Sequence, residues 1–305
     1  MSKLQTENST TVRATSAARR AARETAIKRL RVAVGWVQCV SPSLAAFGVE
    51  RVFLSPQRHR RPEHERAAFE SAQRSTLMHH GRRVPVYSWG TPGRPIVLFA
   101  HGWEGRATQV APYVAPLVEA GFRVVSYDSP GHGAADSALV SVLDFAAVAE
   151  RVAGSLREPV QAAIGHSAGA AALLMASART PFTDRIVTIA PPLRPGVFVA
   201  LYARLLSLSP ATEHALNQRL NVRYSRPFSA IDSRDSVARV SAQGLVIHDR
   251  ADTDVPFAHG EAIAQAWSNA KLFATDGLGH RRVLRDPSVV QSVVDFVGAP
   301  EQRAA

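Results

Sequence analysis

The chain has 305 residues, of which 46% are hydrophobic, and it contains 19 Gly and 19 Pro. This length and composition are typical of a globular protein with a large buried core, and they exclude a disordered or fibrous chain. The formal net charge of +11 is concentrated in residues 1–85, where 16 Lys and Arg stand against 6 Asp and Glu.

Several classes of protein are disfavoured by what the sequence lacks. Cys39 is the single cysteine, so no intramolecular disulfide can form, and no Cys/His cluster has the spacing of metal ligands. The longest apolar stretches are shorter than the roughly 18 residues that a membrane-spanning helix needs. Arginines precede "VAVGWV", but no signal-peptide core or small-residue cleavage site follows. We expect a cytoplasmic protein, while an Arg-rich, acid-poor start is also typical of an organelle transit peptide.

The segment "SAARRAARETAIKRLRVAVGWV" predicts an amphipathic basic helix near the N-terminus. Apolar residues recur at helical spacing on one face (Ile27, Leu30, Val34, Val37), and basic residues occupy the other faces (Arg19, Arg20, Arg23, Lys28, Arg29). Two interpretations stay open: the apolar face packs on the main domain, or the helix lies peripherally on an anionic membrane or a partner. No nucleic-acid partner is expected, because interleaved aromatic residues and DNA-reading motifs are lacking.

Beyond this arm, strands and helices alternate. A short helix is predicted at "PEHERAAFESAQR", and a strand and turn at "RRVPVYSWGTPGRP". Six apolar strands follow, "PIVLFAHG", "RVVSYD", "VQAAIG", "RIVTIA", "GLVIHD" and "KLFATD", with helical segments such as "VAPYVAPLVEAG" and "SVLDFAAVAERVAGSL" between them. This alternation predicts an α/β fold with a mostly parallel central sheet and helices on both faces. Functional residues of such sheets collect at the carboxyl ends of the strands.

The stretch "GHSAG" lies between a predicted strand and a predicted helix, and it matches the G-x-S-x-G motif. A turn this tight strains the backbone of Ser167 and leaves little room for its neighbours. Gly165 and Gly169 carry no Cβ atoms that would collide. The pattern therefore predicts that Ser167 stands exposed above the sheet as a nucleophile.

A serine hydroxyl needs a base, and the base needs an orienting acid. Downstream, the stretch "HDRADTDVP", where the strand "GLVIHD" passes into a loop, carries three carboxylates, Asp249, Asp252 and Asp254, and the loop after "KLFATD" carries His280. The order Ser, Asp, His along the chain is the one found in sheets with a nucleophile elbow of this kind.

From about residue 84 to about residue 298 the chain resembles the α/β-hydrolase superfamily, particularly bacterial esterase-like serine hydrolases with short caps. "HGW" is similar to the oxyanion turn, "YDSPGHGAAD" to the loop after the next strand, and "GHSAG" to the nucleophile elbow. "HDRADTDVP" and "GLGH" resemble the acid and histidine loops. The implied architecture is a basic helical extension over residues 1–83, a catalytic domain over 84–298 with a short helical cap at about 191–242, and a C-terminal tail over 299–305.

The resemblance also implies roles for individual residues. Ser167 would be the nucleophile, His280 the general base and acid, and Asp252 the acid that holds the histidine. Asp252 is favoured because it lies three residues before Val255, with Asp249 and Asp254 as rivals. The oxyanion would be held by the backbone N–H groups of Trp103 and Ala168, and four residues would support the geometry (His101, Gly102, Gly165, Gly169). His132 and His166 are expected to serve loop geometry.

The expected activity is hydrolysis of carboxylic esters of small to medium apolar substrates through an acyl-enzyme, without a metal or an organic cofactor. Apolar residues at helical spacing in the cap (Val197, Phe198, Leu201, Tyr202, Leu205) face either the core or the substrate. Three arginines of this segment could bind an anionic substrate group, which leaves an acyl thioesterase as an alternative (Arg194, Arg204, Arg223). Another hydrolase with the same triad is a further alternative. A non-catalytic ligand-binding protein of this fold is a further one, and the oligomeric state stays open.

Overall fold

The computed structural model describes residue 21 and residues 24–299, and eight strands of this part of the chain form one sheet. The strands are Gln73–His79 (β1), Arg82–Trp89 (β2), Ile96–Ala100 (β3), Arg123–Tyr127 (β4), Val160–His166 (β5), Arg185–Ile189 (β6), Gln243–Asp249 (β7) and Ala270–Thr275 (β8). Their order in the sheet is β1-β2-β4-β3-β5-β6-β7-β8. β2 pairs antiparallel with β1 and β4, and all other neighbours are parallel. The predicted mostly parallel sheet is confirmed.

Helices connect the strands and precede them. They are residues 24–40 (α1), Pro42–Phe53 (α2), Arg66–Ser71 (α3), Ala111–Glu119 (α4), Val142–Ala153 (α5), Ala168–Arg179 (α6), Val197–Leu206 (α7), Pro210–Tyr224 (α8), Ser233–Val237 (α9), Phe257–Ala266 (α10), Gly279–Arg282 (α11) and Pro287–Gly298 (α12). The segment predicted as the cap contains α7, α8 and α9.

The hydrophobic core lies on both faces of the sheet, and helices cover β3 on both sides. All five residues of this strand are buried, and successive side chains of a strand point to opposite faces. Val97 and Phe99 join a cluster with Tyr113 of α4 and residues of α12. Ile96 and Leu98 join another cluster with residues of α5 and α6. The unbroken apolar strands of the sequence are therefore those buried between two layers of helices.

The sheet begins earlier in the chain than the sequence pattern indicates. β1 pairs with β2 along its whole length, from the Gln73 and Ser88 pair to the His79 and Arg82 pair. Most of its side chains are exposed. Residues 73–83, expected within the helical extension, are therefore part of the sheet.

Contacts divide the chain into two units. The helical unit consists of the described residues up to Phe53 together with Gly196–Ser229, and the sheet unit consists of Leu54–Pro195 and the residues from Ala230 onward. All the predicted site residues belong to the sheet unit.

A buried carboxylate joins two helices inside the helical unit. Glu50 of α2 accepts hydrogen bonds from Nε of Arg219 at 2.6 Å and from Nε of Arg223 at 2.7 Å, both on α8. Burial alone would raise the pKa of Glu50, but the bonds and charges of the two arginines outweigh it and hold this pKa below its usual range.

The inward face of α1 matches the apolar spacing of the sequence. Val34 is buried, and the other three residues of that face (Ile27, Leu30, Val37) are half-buried. Arg31 donates from Nη2 to the carbonyl of Leu205 at 2.6 Å. Lys28 and Arg29 are exposed, while Arg19, Arg20 and Arg23 lie outside the described residues, as do residues 300–305 of the predicted tail.

The apolar residues of α7 divide between two faces. Val197, Leu201 and Leu205 are exposed. Phe198 and Tyr202 are half-buried, and the ring of Tyr202 packs edge to face on Phe53 with centroids 5.4 Å apart.

Candidate active site

Ser167 occupies a strained turn between β5 and α6. Its backbone angles are φ 52° and ψ −119°, a region that residues other than glycine rarely adopt. The Ser167 N–H donates to the carbonyl of Ile189 at the end of β6, at 2.9 Å. This bond holds the turn at the carboxyl end of the sheet, and the side chain is half-buried rather than enclosed.

The two glycines around Ser167 are required by close backbone approach. A Cβ on Gly165 would lie 2.5 Å from Cα of Ala170 in α6. A Cβ on Gly169 would overlap the carbonyl oxygen of Ala100 and lie 2.5 Å from that of His101, at the end of β3. The helix can therefore start directly behind the serine only because both positions lack a side chain.

Asp252 and His280 form a direct pair. Oδ2 of Asp252 lies 2.7 Å from Nδ1 of His280, and Oδ1 accepts from the N–H groups of Asp254 at 2.9 Å and Val255 at 2.8 Å. A carboxylate only accepts hydrogen bonds, so Nδ1 of His280 carries the proton. Nε2 of this tautomer keeps its lone pair and has the form a general base needs.

The environment of Asp252 favours its ionised form. Burial alone would raise its pKa, but hydrogen bonds from His248, His280 and the Val255 N–H outweigh burial and hold the pKa well below its usual range. Nε2 of His248 is 2.9 Å from the carbonyl of Val255 and 3.5 Å from Oδ2 of Asp252. An ionised carboxylate therefore faces His280.

Neither of the two rival carboxylates pairs with His280. Asp254 is exposed. Asp249 is buried and accepts from the N–H groups of Leu278 and Gly279, at 3.0 and 2.8 Å, and from the Thr275 hydroxyl at 2.7 Å. Burial would raise the pKa of Asp249, but these bonds outweigh it and lower the pKa. Asp249 thus ties the acid loop to the chain just ahead of His280, a positioning contact that its place in the sequence did not reveal.

The turn after β3 lies beside the serine. A Cβ on Gly102 would be 3.2 Å from Cβ of Ser167, so the "HGW" segment and the elbow are in van der Waals proximity. His101 accepts at Nε2 from the Ser129 N–H, at 3.0 Å, and donates from Nδ1 to the Gly102 carbonyl, at 2.7 Å. Burial lowers the pKa of His101 to about 4, so the ring is neutral and serves as a fixed bridge between two loops.

Aromatic side chains surround the ring of Trp103. It is half-buried and stacks on Phe145, with centroids 6.1 Å apart and planes 24° apart. His132 packs edge to face on Trp103 at 5.3 Å. Burial, and next the nearby His101, lower the pKa of His132 to about 3, so it is a neutral packing group.

Ala168 is the first residue of α6, directly after the serine. The free N–H groups at a helix N-terminus point outward and favour negative charge there. The backbone N–H predicted as one oxyanion donor therefore lies at the positive end of the helix dipole.

His166 connects the elbow to the histidine loop. Its Nε2 donates to the backbone carbonyl of His280 at 2.9 Å, and the two rings lie 4.8 Å apart. Burial, and next the nearby His280, lower the pKa of His166 to about 3, so the ring is neutral. His280 is thus held against the residue that precedes Ser167.

Asp128 supports the same edge of the sheet and was given no role by the sequence. It accepts from the N–H groups of Ala107, at 2.7 Å, and Ala134, at 2.9 Å, and from the hydroxyl of Tyr87 at 3.1 Å. Its position in "YDSPGHGAAD" is the signal that could have indicated it. Asp128 fixes the loop after β4 to the segment that follows the "HGW" turn.

A known family matches most of the sheet unit. Residues 97–291 match the model of the alpha/beta hydrolase family. The chain belongs to the alpha/beta hydrolase family. Its members are mostly hydrolases.

Solved structures similar to this alpha/beta hydrolase share its fold at low sequence identity. The enol-lactonase from Burkholderia xenovorans is 18% identical with a TM-score of 0.59, over 74% of this chain and 100% of that one. The thioesterase domain from the curacin biosynthetic pathway is 17% identical with a TM-score of 0.56, over 74% and 98%. A membrane phospholipase A described as a bacterial virulence factor is 15% identical with a TM-score of 0.59, over 88% and 98%.

The described residues contain neither a metal-ligand cluster nor a membrane-spanning helix. Within residues 24–299, no group of three or more His, Cys, Asp or Glu side chains is arranged to hold a metal ion. Among the helices of this alpha/beta hydrolase that the structure describes, none has the length and apolar character to cross a membrane.

Proposed function

We propose that this alpha/beta hydrolase is a serine esterase that cleaves carboxylic esters of small to medium apolar substrates through an acyl-enzyme. The observation that carries the proposal is the 2.7 Å contact between Oδ2 of Asp252 and Nδ1 of His280, whose ring lies against His166 next to the strained Ser167. An acid, a base and a serine at one edge of the sheet are what acyl transfer requires.

The proposed reaction has two halves. His280 takes the proton of Ser167 at Nε2 while Oγ attacks the ester carbonyl, and the resulting oxyanion is held by the N–H groups of Trp103 and Ala168. His280 then protonates the departing alcohol, which leaves an acyl group on Ser167. Water attacks the acyl-enzyme with His280 again as base, and the acid is released. Asp252 stays ionised throughout and stabilises the imidazolium that forms twice per turnover.

The preference for an apolar substrate is supported by the half-buried ring of Trp103, which stacks on Phe145 next to the Gly102 turn. An aromatic residue directly after the turn that lies against Ser167 favours a hydrocarbon group over a sugar or a charged peptide. The similar structures named above include a lactonase, a phospholipase and a thioesterase domain, so an acyl thioesterase is the alternative that the substrate test must separate.

The test is hydrolysis of p-nitrophenyl acetate, butyrate and octanoate, compared with hydrolysis of butyryl-coenzyme A. We expect turnover of the esters, with Ser167→Ala lowering kcat/KM by at least about 10³-fold. Ser177→Ala, which removes a hydroxyl later in α6, is the matched control and should retain activity. Preference for the coenzyme A thioester would favour the thioesterase. Folded protein that turns over neither substrate would favour the ligand-binding alternative.

A further inference from the structure

Helix α2 begins directly after α1 ends, with Ser41 between them. The Ser41 N–H donates to the Val37 carbonyl at 2.8 Å, and the Ala45 N–H donates to the Ser41 carbonyl at 3.1 Å. Pro42 has no N–H, and the Leu44 N–H donates to Oγ of Ser41 at 3.3 Å. The two helices are therefore separate elements that meet at Ser41, and the faces of each are described in turn.

Both helices carry exposed apolar side chains, which together we call the exposed stripe. Its members and their exposed fractions are Val32 (61%), Trp36 (76%), Val40 (88%), Leu44 (58%) and Phe47 (44%). The spacing of four residues places the first three on one face of α1, and the spacing of three residues places the last two on one face of α2. The buried residues Val34, Ala45 and Val49 lie on the opposite side. Soluble surfaces seldom leave a contiguous apolar row of this kind uncovered.

The exposed stripe lies in the most basic part of the molecule. Residues 1–53 and 196–229 contain 13 Lys and Arg against 4 Asp and Glu, whereas the rest of the chain contains 23 against 21. Of the twelve large apolar side chains recorded as exposed among the described residues, ten also belong to the helical unit. Positive charge and uncovered hydrocarbon therefore occur together.

Cations flank the exposed stripe at both ends. Lys28 and Arg29 are exposed before its first residue, and Arg51 is exposed after its last. The Arg51 guanidinium lies 5.7 Å from the ring of Phe47. A basic residue at the end of an apolar row can bury its stem in the lipid interface while its charge meets a headgroup.

We propose that the exposed stripe lies on the surface of a membrane that contains anionic phospholipids. The apolar side chains would enter the boundary between headgroups and acyl chains, and the flanking cations would bind lipid phosphates. Trp36 suits this boundary because its ring is amphipathic. A second copy of the chain fits less well, because two helical units would face each other, each with a net charge of +5 over its described residues. This proposal does not rest on the esterase activity.

The fluorescence of Trp36 reports the docking directly. Trp89 and Trp267 are buried and Trp103 is half-buried, so Trp36 is the tryptophan whose surroundings would change most. We expect a blue shift and co-sedimentation with vesicles of about 30% phosphatidylglycerol in phosphatidylcholine, both reduced in about 0.5 M salt. Equal binding to pure phosphatidylcholine vesicles would contradict an anionic surface.

Variants separate docking from catalysis and from folding. Trp36→Ser combined with Val40→Ser should weaken vesicle binding at least about tenfold, because two apolar side chains are lost from the interface. Leu272→Ser, an exposed apolar change in the sheet unit, and Ser167→Ala should bind as the unaltered protein does. Circular dichroism checks that the double variant keeps its helices.

Besides equal binding to neutral vesicles, three results would overturn the proposal. The first is the absence of co-sedimentation with anionic vesicles, and the second is unchanged binding by the double variant. The third is a dimer in analytical ultracentrifugation that the double variant dissociates, since a second copy would then cover the exposed stripe.

Discussion

Replacing Asp252 by asparagine should invert the tautomer of His280. Oδ1 of Asp252 accepts two backbone N–H groups, those of Asp254 and Val255. The amide oxygen of an asparagine would therefore take the Oδ1 position, and its NH₂ group would face Nδ1 of His280. Nδ1 would then have to accept, so the proton would move to Nε2 and block the atom that must deprotonate Ser167.

The size of the effect distinguishes this mechanism from simple loss of a hydrogen bond. A bond to a charged group contributes about 1.5–3 kcal/mol, which corresponds to roughly 10-fold to 150-fold in rate. The wrong tautomer costs about 10⁴ in kcat in the Ser-His-Asp template, or about 5.4 kcal/mol at 1.36 kcal/mol per tenfold. We therefore expect Asp252→Asn to lower kcat by about 10⁴.

The assay is steady-state hydrolysis of p-nitrophenyl butyrate, with the thermal midpoint measured alongside to show that the variant is folded. Asp254→Asn changes an exposed carboxylate of the same loop and should keep nearly full activity. The reasoning would be refuted if Asp252→Asn lowered kcat by no more than about 150-fold, which loss of a hydrogen bond alone explains, or if Asp254→Asn lost as much as Asp252→Asn.

Three further predictions concern stability. Glu50→Gln should lower the free energy of unfolding in urea by about 1–3 kcal/mol. This loss is smaller than for a fully buried ion pair, because the two arginines that bind Glu50 are 37% exposed. Glu119→Gln changes an exposed carboxylate and should have little effect. Gly169→Ala should lower the free energy of unfolding by about 1–3 kcal/mol and remove most of the ester hydrolysis, because its Cβ would overlap the carbonyl of Ala100. Gly48→Ala has open space around its Cβ, so it should leave the free energy of unfolding unchanged or raise it. The free energy of unfolding should fall as the pH drops from about 6.5 towards 4, because of three buried histidines, His101, His132 and His166. Their pKa values in the folded protein lie below that of histidine in the unfolded chain, so only the unfolded chain takes up protons in this range. Each histidine contributes a loss of up to about 1.4 kcal/mol per pH unit. Urea titrations at several pH values test this last prediction, and a stability that is flat over that range would contradict it.

The buried centre of the fold could be predicted from the sequence because its signals are local. The strand ending at Ala100 is apolar throughout, and all its residues are buried in the sheet. The turn at Ser167 is marked by Gly165 and Gly169, whose missing side chains the close contacts explain. Burial and backbone strain allow few residue types at these positions, so the residues found there indicate the local structure.

Edges and loops could not be predicted in the same way. β1 was missed because its side chains are mostly exposed, so its sequence has no alternation of apolar and polar residues. The choice among Asp249, Asp252 and Asp254 depends on where each side chain points after the loop folds. The sequence places three carboxylates within six residues, and only the three-dimensional contacts separate the one that faces His280 from the one that braces its loop.

The outward face of α1 shows another limit of sequence patterns. The helix carries apolar residues on two sides. The inward set, which includes Val34, accounts for the one apolar face that an amphipathic helix is expected to have. The second set, around Trp36, becomes visible only when exposure is known. A pattern that predicts burial of one face gives no information about the partner of the other.

The most direct test of the central claim is the intact mass of the protein after incubation with a fluorophosphonate probe. The unaltered chain, Ser167→Ala and His280→Ala are compared, each first shown to be folded by circular dichroism. A proposed Ser167 nucleophile activated by His280 predicts a single adduct on the unaltered protein and none on either variant. An adduct that persists in Ser167→Ala, or no adduct on the folded unaltered protein, would contradict an activated serine at this turn.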